Sequence, residues 1–243
     1  MNLEINGVTS LNSQLYHIVL DGCHYVKLED VKISASGASP NTDGIHVQLS
    51  TGVTILNSNI ATGDDCVSIG AGTNNLWIEN MACGPGHGIS SIGSLGKDLN
   101  EPGVVNVTVK SATFTGTENG VRIKSWGRPS NGFVRNVLFQ HLTMSNAQNP
   151  IIIDQNYCPD DKGCPGKVSG VRISDISYED IHGSSATSVA ITFNCSPEYH
   201  CTNIKLDGID LTFNNQEAQS TCANIIGTSD GSIQPKICLA FGG

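Results

Sequence analysis

Asp43, Asp65 and His87 are spaced by a constant 22 residues, and each opens a short β-branched stretch. The stretches read "DGIHVQL" (43–49), "DCVSIGAG" (65–72) and "HGISSIG" (87–93). The pattern continues in "NGVRIKSW" (119–126), "PIIIDQNY" (150–157) and "SVAITFN" (188–194), at spacings widened to roughly 30 residues, as inserted loops produce. A second strand type alternates with it: "VKLEDVKIS" (26–34), "VTILNSNIA" (53–61), "LWIENMACG" (76–84), "VVNVTVKSATF" (104–114), "VRNVLFQHLTM" (134–144), "VSGVRISDISYEDI" (168–181) and "CTNIKLDGIDLTF" (201–213). Sandwiches and barrels also alternate strands and turns, but they need no fixed period. A fixed period is what parallel coils stacked as a solenoid require, since each coil packs only on its neighbours. The expected fold is therefore all-β, a parallel β-helix, with a sandwich or barrel as the alternative.

Composition agrees. Only 14% of residues are charged and 27 are glycine, which suits short strands and turns and not a helical bundle. No linker divides the chain, so residues 1–243 are expected to form one β-helix domain. A net charge of -9 argues against a nucleic-acid partner, which needs a basic face. No apolar run approaches the ~20 residues of a membrane span, and "MNLEING" lacks the regions of a leader peptide.

The nine cysteines form no C-x-x-C zinc pattern, and disulfides in an oxidising compartment explain them better. Proximity favours Cys66–Cys83, Cys158–Cys164, Cys195–Cys201 and Cys222–Cys238, although sequence alone does not fix connectivity. Cys23 is left over and is expected to be buried as a small apolar residue. Sequons at Asn106 and Asn194 agree with secretion.

In a stack of coils, residues one period apart share a face about 4.8 Å apart. Asp43 then lies near Asp64 and Asp65, and these near His87. Arg122 and Lys124, two apart and so on one face, continue the column, and Tyr157 ends the next strand. Each residue alone has an ordinary explanation. Asp beside Gly is turn chemistry, a histidine in a glycine-rich loop is commonly structural, an Arg-Ile-Lys strand is commonly a solvated face, and Tyr157 beside a cysteine suggests packing. Turn chemistry does not require the columns to align. "GTSDG" (227–231) matches a serine-nucleophile elbow but no histidine comes after it, and "GSLGKD" is no phosphate loop.

"NTDG" (41–44), "GDDC" (63–66), "GHG" (86–88) and "RIK" (122–124) occur in an order and spacing that resemble the polygalacturonases of glycoside hydrolase family 28. "SPNTDGIHV", "CGPGHGIS", "GVRIKSWGRPS" and "IIIDQNYCP" look like its plant branch. The resemblance runs from about Tyr16 to Cys238. It implies a right-handed parallel β-helix that hydrolyses α-1,4-linked galacturonan in pectin, with inversion and without a cofactor or metal. It also implies a secreted, monomeric cell-wall protein, a potential target of cell-wall inhibitor proteins. Members carry further coils and a capping helix ahead of the equivalent of Met1, so the chain is expected to be a partial catalytic domain with an open sheet end. "GHGISSIGSLG" has one serine more than the family pattern, at Ser90 or Ser91. Such an insertion reverses the facing of every later residue in the strand unless a bulge absorbs it.

Inverting hydrolysis needs an acid for the leaving oxygen and a base for water. By resemblance, Asp64 is the acid, Asp43 and Asp65 activate the water, and His87 tunes the acid or bonds a hydroxyl. Arg122 and Lys124 bind galacturonate carboxylates, and Tyr157 and Asn41 contact the sugar. Both members of the "DD" pair can face a cleft only if the strand bends there, so a turn or bulge is expected at Asp64–Asp65. Two other classes compete with this one. A non-catalytic pectin-binding β-helix is favoured by the missing coils and the extra serine. A lyase is disfavoured by the acidic triad.

Overall fold

The computed structural model describes residues 2–159 and 162–240. Its architecture is a parallel β-helix. One sheet takes the strands Ile18–Asp21, Ile45–Gln48, Asp65–Ile69, Gly88–Leu95, Asn119–Trp126, Asn149–Tyr157, Val189–Asn194 and Gln219–Ala223, stacked in that order. All six members of the aspartate-led strand type fall in this sheet. The second strand type forms the larger sheet, which runs from Leu3–Asn6 through Cys201–Phe213 to Ile225–Gln234. No α-helix occurs among the described residues, and none is long and apolar enough to cross a membrane.

The larger sheet bends once per coil at a single aligned position. Asp30, Asn57, Asn80, Ser111, His141, Asp180 and Gly208 all have φ between 50° and 63°. They come directly after Glu29, Leu56, Glu79, Lys110, Gln140, Glu179 and Asp207, which are paired in register. Asp, Asn and Gly tolerate the left-handed region best, which explains the Asn- and Asp-rich interruptions of these strands. In the earliest coils the bend breaks the ladder outright, so "VKLEDVKIS" becomes His24–Glu29 and Lys32–Ser34.

Inside, the period becomes packing. Leu28, Ile55, Ile78, Val109, Phe139, Tyr178 and Leu206 occupy one register position in seven coils, and all are fully buried. Phe139 and Tyr178 stack with centroids 5.2 Å apart. At about 25 cal/mol per Å² of apolar surface, such ladders are the main stabilising term, and each coil depends on the next for its share. At the first coil Leu3, Val8, Leu11, Leu15 and Val19 remain exposed.

The four expected disulfides are present: Cys66–Cys83, Cys158–Cys164, Cys195–Cys201 and Cys222–Cys238. Cys23 is free. It is half-buried at the rim of the core and not fully enclosed, because it lies in a turn beside Gly22 near the exposed first coil. Its thiol contacts the Asp21 carbonyl at 3.6 Å.

Candidate active site

Asn41, Asp43, Asp64, Asp65, His87, Arg122, Lys124 and Tyr157 all line one open cleft of about 910 Å³ on the smaller sheet. Two local irregularities put them there. The chain bends at Gly63–Asp64 before the strand Asp65–Ile69 begins. A Cβ on Gly63 would lie 2.1 Å from the Ser39 carbonyl oxygen, so only glycine lets the bend approach the preceding coil. Pairing then passes from Asp65↔Gly88 to Val67↔Ile89, which leaves Cys66 as a bulge residue. The bend and the bulge let adjacent aspartates serve the same cleft, where a regular strand would send them to opposite faces.

The extra serine is absorbed in the same way. Ile89 pairs with Val67 and Val121, and Ser91 pairs with Ser68 and Arg122. Ser90 is therefore the bulged residue, and the strand resumes its facing at Ser91. The Ser91 hydroxyl donates to Asp65 Oδ1 at 3.0 Å.

The columns differ from the expected ones by one step. Asp65 pairs with Gly88, while the His87 N–H donates to the Asp64 carbonyl at 2.9 Å. Arg122 shares its column with Ser91, Ser68 and His46, not with the aspartates. Lys124 nevertheless reaches back, placing Nζ 3.7 Å from Asp65 Oδ2. Tyr157 pairs with Trp126 across an irregularity, and its ring lies 5.2 Å from the Arg122 guanidinium and 5.0 Å from the Lys124 ammonium. Asn41 contributes through its backbone: its N–H donates to Asp64 Oδ2 at 3.1 Å.

Each carboxyl has a different environment. Asp43 is buried, and desolvation pushes its pKa to about 6, against a hydrogen bond from Ser68 and with help from the charges of Asp65 and Asp64. Asp65 is also buried, and desolvation raises it despite the Lys124 charge. Burial pushes Asp64 up too, but the hydrogen bond and charge of His87 outweigh it and hold Asp64 below the usual range. His87 is raised by its hydrogen bond to Asp64, which outweighs its burial, with Glu118 adding to the effect. Its Nδ1 is 3.0 Å from Asp64 Oδ1, and its Nε2 is 3.3 Å from Glu118 Oε2.

Glu118, Tyr16, His46 and Ser68 also line the cleft, and sequence reasoning missed them. His46 and Ser68 were legible, since they keep the 22-residue interval three residues after Asp43 and Asp65. His46 Nδ1 and Ser68 Oγ are 2.7 Å apart, and Tyr16 packs on the His46 ring. Glu118 sits in a turn and carried no periodic signal. Asp64, Asp65 and His87 offer ligand atoms within 4.8 Å of one another, the spacing a cation would need. The Lys124 ammonium beside Asp65 and a raised histidine oppose a metal there. The arrangement suits proton transfer: a buried carboxyl pair, an ionised carboxylate on an imidazole, and two cations facing them.

A model of the glycosyl hydrolases family 28 matches residues 1–232. The chain is 65% identical over 238 residues to a polygalacturonase of Prunus persica, covering 98% of this chain and 60% of that protein. It is 47% identical over 239 residues to an exopolygalacturonase of Arabidopsis thaliana, covering 98% and 54%. The chain thus spans between half and two thirds of the length of these curated relatives. Among solved structures, an endo-xylogalacturonan hydrolase from Aspergillus tubingensis superposes with a TM-score of 0.85 at 27% identity, over 95% of this chain and 66% of the other.

Proposed function

Because the chain belongs to the glycosyl hydrolases of family 28, we propose that it hydrolyses α-1,4-galacturonosyl linkages of polygalacturonate, with inversion at the anomeric carbon. The observation that carries this reading is the opposition, in one cleft, of three differently tuned carboxyls to Arg122 and Lys124. A polyuronate brings a carboxylate on each unesterified residue. Arg122 offers a buried Nε with no partner among the described residues, and a buried donor left unmet is costly until a ligand satisfies it.

Asp64 is the acid in this proposal, and the proton it delivers is held by the His87–Asp64 pair. In the free cleft that proton sits on the imidazole, which the contact with Asp64 raises. As negative charge develops on the leaving glycosidic oxygen, Nδ1 gives its proton to Asp64, and the carboxyl so formed passes that same proton on to the oxygen, leaving His87 neutral and Asp64 ionised. Glu118 on Nε2 keeps the ring in place. Asp43 and Asp65 hold the attacking water, and the one that takes its proton must be ionised. Burial raises both aspartates, so the ionisation of the one that acts as base sets the acid side of activity, and the loss of the His87 proton sets the basic side.

The bulge at Ser90 leaves Ser91 on Asp65 and Arg122 in the cleft, so the insertion no longer favours a non-catalytic β-helix. One continuous buried cluster running from Leu20 to Leu239 supports reading residues 1–243 as one domain. Four disulfides support an oxidising site of action, which for plant relatives fits the cell wall. Reducing-end release from polygalacturonate tests the activity. Asp64→Asn should fold as the parent does and release at least ~100-fold less, the lower range for general acid–base catalysis. Equal release by the two proteins would overturn the assignment.

A further inference from the structure

Beside the cleft three loops, 96–103, 127–132 and 165–171, stack along the coil axis as one wall, of which Lys97 and Glu101 of the first loop line the cleft. They are tied together by backbone as well as side chains. The Asn131 N–H donates to the Leu99 carbonyl at 2.8 Å, and the Gly170 N–H to the Arg128 carbonyl at 2.9 Å. The Ser130 hydroxyl donates to the Asp98 carbonyl at 3.0 Å. A Cβ on Gly170 would stand 2.4 Å from the Ser130 nitrogen, so the second and third loops are in direct contact.

Outside this wall lies a hollow of about 460 Å³ lined by Lys97, Leu99, Arg128, Pro129, Pro165 and Lys167. It shares Leu99, Pro129 and Lys167 with a neighbouring hollow of about 490 Å³ that extends to Glu198 and Tyr199. Lys97 lines the catalytic cleft as well, so the surface is continuous from Asp65 and Lys124 outward. Its charge is unusual. In a chain of net charge -9 with 13 Lys and Arg, the first hollow gathers three of these cations and, among the described residues, no carboxylate. Nearby Glu101 is turned inward, accepting from the Gly96 N–H. Asp98 is exposed on the first loop without lining either hollow, and Glu198 lies at the far end. Arg128 is held in place: its guanidinium lies 5.2 Å from the Trp126 ring, and Nη1 donates to the Lys97 carbonyl at 3.4 Å. Leu99, which is 58% exposed, and the two prolines add flat apolar surface between the charges.

We propose that this wall is an accessory binding track for the polyuronate chain, holding sugar units remote from the bond that is cleaved. The proposal rests on the polygalacturonate reading of the cleft and adds to it where the chain goes beyond the cleft. The spaced cations meet the carboxylates of successive uronates, and the apolar surface meets the ring faces. A long chain then gains affinity from engaging cleft and wall together, while a short oligomer that fills only the cleft does not.

The test uses the whole protein carrying Asp64→Asn, so that ligand is not consumed, and calorimetric titration at low salt. The ligands are trigalacturonate and long polygalacturonate. Lys167→Gln should weaken long-chain binding by about threefold, as for an exposed ion pair, and Lys167→Glu by more. Arg128→Gln combined with Lys167→Gln should approach about tenfold. Trimer affinity should stay constant throughout, and it doubles as the check that each variant is folded. Unchanged long-chain affinity in Lys167→Glu, with trimer binding intact, would overturn the track and leave the substrate reading standing. Failure of the Asp64→Asn protein to bind either ligand would overturn the substrate reading, and the track with it.

Discussion

Replacing Lys124 with methionine separates two tasks that the cleft gives to one ammonium group. Its Nζ is 3.7 Å from Asp65 Oδ2, and the side chains are 14% and 5% exposed. At an effective dielectric of about 20, two unit charges at that distance attract by about 4.5 kcal/mol. Desolvation offsets part of this, but removing one partner of a buried pair typically costs about 3–5 kcal/mol. Burial already pushes Asp65 upward, and Lys124 is the main influence opposing it. Lys124→Met therefore drives Asp65 further up and keeps it protonated where the parent would be ionised. A protonated Asp65 cannot take a proton from water. Turnover on the acid side of the profile should fall at least ~100-fold, with partial recovery as pH rises. The acid limb of the kcat profile on polygalacturonate should move to higher pH, and KM should rise because the substrate carboxylate loses a partner. The assay is kcat and KM across the pH range. A raised KM with the acid limb unmoved would show that Lys124 binds substrate without governing Asp65, and the electrostatic argument would fail.

The same cleft sets two other outcomes. Asp43 is raised from 3.8 to about 6 in the folded state, so the folded protein binds more protons there and loses stability as pH rises from about 4 to 6. The shift of roughly 2 pH units corresponds to about 3 kcal/mol at neutral pH. Asp43→Asn should raise the melting temperature at pH 7 and leave it unchanged near pH 3; equal effects at both would refute the assignment of that strain to ionised Asp43. Arg122→Gln removes a charged donor and should cost ~1.5–3 kcal/mol in binding of polygalacturonate. It should matter much less on highly methyl-esterified pectin, and equal losses on both would show that Arg122 does not read the carboxylate.

Most of this site was legible as arithmetic. Parallel strands in a coil stack pair in register, so a spacing of 22 in the chain becomes adjacency in space. That is why Asp43, Asp65 and the GHG loop could be placed together from the sequence. The relation weakened where loops lengthened the period: Arg122 was assigned to the aspartate column, whereas it pairs with Ser91, Ser68 and His46. Glu118 could not be found this way, because it lies between strands and meets His87 only through the path of a turn.

The chain by itself determined the solenoid and the gathering of most of the cleft residues, and it favoured by proximity the disulfide pairs that form. Each of these depends on period and short-range spacing, which a sequence displays directly. Tertiary structure alone decided the facing and the protonation. Facing depended on bulges at Cys66 and Ser90, since one unpaired residue inverts a strand and nothing in composition says where it falls. Protonation depended on burial and on partners from other coils. Three aspartates of one type became two carboxyls raised by desolvation and one held ionised by a histidine 23 residues away. A pKa shift is a property of the dielectric and the charges around a group, and those exist only once the coils have stacked.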